Sequence, residues 1–139
     1  MVRSLAALFV GAGLLLGACG STDETSAEDQ AAADEAAIVG VMRENELGGP
    51  ERCETLYTDA YLEMNWNEDV TAYGGGTPLE KCQAQPKSVA TSGQVKVEVL
   101  SVDGDTAVAT LKVGAYEPSG YSLVRDPETG DWQIDGFED

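Results

Sequence analysis

Twenty-five acids, eight bases and no histidine define the chemistry open to this 139-residue chain, whose formal net charge is −17. Without an imidazole there is no Ser-His-Asp or Cys-His catalysis, no His-ligated zinc and no imidazole pH sensor. Carboxylates are the abundant acid–base groups that remain. Asp59, Glu63 and Asp135 stand nearest to apolar stripes. Solvated polar faces account for all three, and no pair has a spacing that argues for catalysis. The stretch Asp126-Pro127-Glu128-Thr129-Gly130-Asp131 gathers acids without the ligand spacing of an EF-hand loop, and reads as a charged turn. No metal or cofactor is assigned. The acid excess also excludes nucleic acid as a partner, because phosphate contacts need Lys and Arg. With 42% hydrophobic residues, the length suits one domain with its own core.

The three cysteines divide into one and two. Arg3 is the only charge before Asp23, and Leu5 to Leu16 is an apolar run broken only by Gly and Ala. That run is too short to span ~30 Å of hydrocarbon as a helix. A positive start, a short apolar centre and small residues behind it read as a secretory signal peptide, residues 1–18. The segment Leu16-Gly17-Ala18-Cys19 resembles the bacterial lipobox. The resemblance implies that Cys19 receives a diacylglyceryl group carrying palmitate-type chains, that the chain is cut between Ala18 and Cys19, and that the new amino group is open to acylation. Two acyl chains anchor durably where one binds marginally. The protein is thus expected at the cell membrane, lipid-anchored on the extracytoplasmic face. Cys53 and Cys82 then form an even pair in an exported chain, for which a disulfide is the expectation. Metal or redox chemistry at this pair is the alternative, and it lacks both a CxxC and a His.

Residues 19–33 read as the lipidated Cys and a flexible acidic linker, because no large apolar residue occurs before Ile38. A domain over 34–139 follows. Ile38, Val41, Met42 and Asn45 have helical spacing from Asp34 to Gly48-Gly49. Pro50 opens a second helix carrying Cys53, Leu56, Tyr57, Ala60, Tyr61 and Met64 on one face. Asn65 to Gly76 reads as a loop containing Trp66. Thr77-Pro78-Leu79-Glu80 is a capping box that opens a third, short helix with Cys82. Strand alternation then runs through Val95–Val99, Ala107–Ala115, Tyr121–Arg125 and Trp132–Phe137, with Asp103-Gly104 as a hairpin signal. The expected fold is α+β: three N-terminal helices on one face of a curved four-stranded antiparallel meander.

This order resembles the nuclear transport factor 2-like superfamily over Asp34 to Asp139. The resemblance is carried by Val95-Lys96-Val97-Glu98-Val99, by Gly104-Asp105-Thr106-Ala107-Val108-Ala109, and by Leu123-Val124-Arg125-Asp126 with Gly130-Asp131-Trp132-Gln133-Ile134-Asp135-Gly136. The chain is also similar to small actinobacterial lipoproteins of that superfamily, in which a Cys on the second helix pairs with one just before the strands. The resemblance implies a cystatin-like cone of helices and bent sheet with a pocket inside. It implies pocket walls drawn from Tyr57, Tyr61, Trp66, Tyr116, Tyr121 and Trp132. It also implies an additional early strand that the sequence does not display.

Family enzymes place an Asp, often with His or Tyr, inside the cone. This chain has no His, and its acids read as surface groups. The expectation is therefore a non-catalytic, membrane-anchored module that binds a small apolar ligand or an envelope protein. The alternative is a small pocket enzyme of the isomerase or dehydratase type.

Overall fold

The computed structural model describes residues 26–139. The signal segment, Cys19 and residues 20–25 lie outside them. Ser26 caps the first helix, α1 (Ala27–Leu47), by accepting from the Asp29 amide, and Glu28 and Asp29 occupy the first turn. Acids there complement the positive end of the helix dipole. The helix thus begins at Ala27 rather than Asp34, and residues 27–33, read as linker, are its exposed first turns. Ala27 and Ala31–Ala33 supply the helix propensity for this extension. Ile38 and Met42 are fully buried and Val41 partly, which confirms the apolar stripe.

The single helix expected from Pro50 to Met64 is two helices, α2 (Arg52–Thr55) and α3 (Asp59–Trp66). Between them the backbone turns to the sheet. Ile134 N–H donates to the Leu56 carbonyl (2.7 Å) and Thr58 N–H to the Ile134 carbonyl (3.0 Å), which makes an isolated parallel bridge between Tyr57 and Ile134. Thr58 then caps α3, its Oγ1 accepting from the Tyr61 amide. The interruption resets the helical phase. Leu62 and Trp66 join Tyr61 on the buried side, whereas Met64 is 52% exposed. Trp66, expected in a loop, is the last residue of α3.

The helix α4 (Pro78–Gln83) carries the capping box read from the sequence, with Thr77 and Glu80 bonding each other's backbone amides. It brings Cys82 to Cys53, and the two form a disulfide with Cα atoms 6.0 Å apart. Lys81 beside it is buried and donates to the Asn67 carbonyl (2.7 Å), which fixes the chain after α3.

A four-stranded antiparallel sheet follows in the order β1 (Val95–Asp103), β2 (Thr106–Val113), β3 (Ser119–Arg125), β4 (Trp132–Glu138). The fold is α+β, as expected. Gly104 turns the first hairpin at φ 59°, a left-handed value that suits Gly. The second strand stops at Val113, short of the expected Ala115. The register shifts at Leu100 and at Asp135, each an extra residue between paired neighbours. Such bulges bend a strand and re-aim a side chain. Asp135 is re-aimed to accept from Thr58 Oγ1 (2.8 Å), which pins the start of α3 to β4. Val95, Ala107, Ala109, Leu111, Leu123 and Ile134 face the helices and complete the core with Ile38, Met42 and the aromatic side chains of α3.

Candidate functional site

Four of the six aromatics expected to wall a pocket come together. Tyr57 stacks on Tyr61 with ring centroids 4.9 Å apart. Trp66 lies 5.7 Å from Tyr57 and 6.0 Å from Tyr61. Phe137 joins them, 5.5 Å from Tyr61 and 5.2 Å from Tyr121. Rings at these separations are in direct contact. They form one cluster of touching rings between α3 and strands β3 and β4. Burial pushes the phenols of Tyr57, Tyr61 and Tyr121 above their ordinary values, with the Arg52 guanidinium partly opposing this at Tyr57. At neutral pH they are proton donors; Tyr57 gives its hydroxyl hydrogen to Asn45 Oδ1 (2.6 Å). The other two residues of the expected set lie elsewhere. Tyr116 is 78% exposed on the β2–β3 connection, and Trp132 is buried beside Arg125.

Arg125 centres a network that the sequence reading did not single out. Its Nη2 lies 2.8 Å from Asp34 Oδ1 and its Nε 3.2 Å from Asp105 Oδ1. Its guanidinium carbon stands 4.4 Å from the Trp132 ring centroid, a cation–π contact. Gln30 also donates to Asp34 (3.1 Å). Sequence signals for the pair exist. Asp34 precedes Ile38 and Met42 at four-residue steps, and Arg125 follows Tyr121 and Leu123 at two-residue steps, so both charges fall on buried faces. The hydrogen bond from Arg125 holds the Asp34 carboxyl below the usual carboxylate range, against the opposing effect of desolvation.

A lowered folded-state pKa makes Asp34 stabilising above the unfolded value of about 3.9, with that contribution lost as pH falls through the folded value. Below about pH 4, the urea midpoint of the protein is expected to fall more steeply than that of Asp34→Asn. Parallel acid slopes in the two proteins would contradict this role.

Two open concavities lie beside these clusters. A cleft of about 430 Å³ runs between α1, α2 and the β3–β4 turn. Ala37, Val41, Leu56 and Trp132 give it an apolar floor, and Glu44, Arg125 and Asp131 a charged rim. Its size falls in the range of small-molecule sites. A groove of about 270 Å³ lies between the end of α1 and the β2–β3 connection, with Glu46, Tyr116, Glu117 and Tyr121 among its lining residues.

The carboxylates singled out from the sequence stand apart. Asp59 and Glu63 are exposed, and Asp135 is engaged by Thr58. In the β3–β4 turn, Asp126 Oδ1 accepts from the Glu128 and Thr129 amides, so this carboxylate shapes the turn itself. Among the described residues, Asp34 is the one buried carboxylate, and Arg125 neutralises it. Comparison with protein-family models, with curated proteins and with solved structures finds no match to this chain.

Proposed function

We propose that this protein is a lipid-anchored, extracytoplasmic, non-catalytic binding module of the cell envelope. In this reading the helices and the bent sheet form a filled cone of the nuclear transport factor 2-like kind, and the Trp132 cleft is the ligand-facing surface. One observation carries the non-catalytic part. Tyr57, Tyr61 and Trp66 occupy the interior by packing on one another, with no unpaired carboxylate among them. An isomerase-like or dehydratase-like site needs a proton-transfer group in reach of an enclosed substrate. The cleft instead offers an apolar floor and a charged rim, which suit a small apolar ligand with a polar end or an envelope protein's side chain.

Anchorage rests on the short apolar run ending in Leu16-Gly17-Ala18-Cys19. The Cys53–Cys82 disulfide supports an oxidising, extracytoplasmic compartment. Changing Cys19 to Ala and fractionating cells tests the reading. The expected result is loss of processing at Ala18 and of stable acyl anchorage. An unchanged cut together with unchanged membrane binding would refute it.

A further inference from the structure

We infer that Gly40 shapes the Trp132 cleft for its ligand, and that this ligand is an uncharged ring molecule with a hydrogen-bond donor at its edge. The inference rests on the reading of that cleft as the ligand-facing surface, and it names the residue and the chemistry that make the cleft selective.

The starting point is a glycine that the fold does not need. Gly40 lies inside the 21-residue helix α1. Gly is the poorest choice there after Pro, because its backbone loses the most freedom on folding. At other positions the structure shows what a Gly is for. Gly104 turns a hairpin at φ 59°. A Cβ at Gly120 or Gly136 would stand 2.8 Å from the Glu138 carbonyl oxygen or from Ser122 Oγ. Gly40 has neither reason. Its backbone is helical, and a Cβ there would meet nothing within 4 Å. The room that a side chain would take is room in the cleft, which Gly40 lines.

That room borders the apolar floor. Ala37, Gly40, Val41 and Glu44 share one face of α1 by their spacing, and all four line the cleft with Leu56 and Trp132. With no side chain at Gly40, the helix offers bare backbone against which a flat molecule can lie. Close approach of a ligand to a backbone is a use to which Gly is suited.

The polar end follows from a count of donors. Arg125 is the one base that lines the cleft. Each of its three nitrogens already has an acceptor: Nη2 has Asp34, Nε has Asp105 and Nη1 has the Gly130 carbonyl. Glu44 and Asp131 also line the cleft, and both ion pairs of the described residues belong to Arg125. A carboxylate or phosphate ligand would therefore meet negative charge with no free base to pair it. A ring N–H or O–H meets acceptors instead.

The test uses the membrane-purified protein, indole as probe and indole-3-acetate as its anionic analogue. Amide chemical-shift titration is expected to show indole perturbing Ala37, Gly40, Leu56, Asp131 and Trp132, with indole-3-acetate much weaker. Gly40→Ala is expected to raise Tm by roughly 2–5 °C, because Ala is the better helix former, and to weaken indole binding. Gly40→Leu, which extends into the cleft and not into the core, is expected to weaken indole binding by roughly tenfold or more. Unchanged indole binding by Gly40→Leu, or a lowered Tm in Gly40→Ala, would overturn the role of Gly40, while shifts that still map to the cleft would leave the cleft reading in place. Equal binding of indole-3-acetate would overturn the ligand class. An absence of indole-dependent shifts at the cleft in the parent protein would overturn the inference and the cleft reading together.

Discussion

Replacing Cys53 and Cys82 by Ala is expected to remove about 3–4 kcal/mol of stability, from the entropy of closing a loop with a sequence separation of 29. In a domain of this size that is a fall in Tm of roughly 10–20 °C. The physical reason lies in the elements that the bond joins. Helix α2 has four residues and α4 six, each too short to persist alone. The long loop between α3 and α4 has Lys81 on Asn67 and little other buried anchorage. Scanning calorimetry of the double variant against the oxidised protein decides the point. A Tm within about 2 °C of the parent would show that packing alone holds the helices.

Tyr61→Ala is expected to be equally costly, at about 3–5 kcal/mol, the range for truncating a buried large aromatic. Tyr61 is 4% exposed and touches Tyr57, Trp66 and Phe137 at once. Its removal leaves a void among three rings. Tyr116→Ala serves as the control, because its ring is 78% exposed and its loss is expected within about 0.5 kcal/mol. Denaturant unfolding of the two variants separates core from surface. A cost below about 1 kcal/mol at Tyr61 would mean that the aromatic interior is an open pocket wall after all.

Much of the fold was legible because its signals are local. The Thr77–Glu80 capping box, the Gly104 turn and the two-residue alternation of the strands each depend on neighbours in the chain, and each is found where expected. The division of the second helix was not legible. Its cause is Ile134, which takes the backbone of Leu56 and Thr58 from a part of the chain distant in sequence. That tertiary bond also shifts the buried face, so Met64 gives way to Leu62 and Trp66.

The candidate site shows the same limit. Tyr57, Tyr61, Trp66 and Tyr121 carried an aromatic signal, but residue type does not say whether rings enclose a space or fill it. Trp132 parted from them because Arg125 took its face. The Asp34–Arg125 pair was overlooked because Asp34 was read as the start of a helix and Arg125 as one residue of a strand, although the position of each on an apolar stripe marked it as buried.

The most direct test of the lipid-anchored reading is the intact mass of the protein extracted from membranes. The account predicts a chain running from Cys19 to Asp139 that carries a diacylglyceryl group, with Cys53 and Cys82 oxidised. A chain with an unmodified Cys19 thiol, or one retaining residues 1–18, would contradict it.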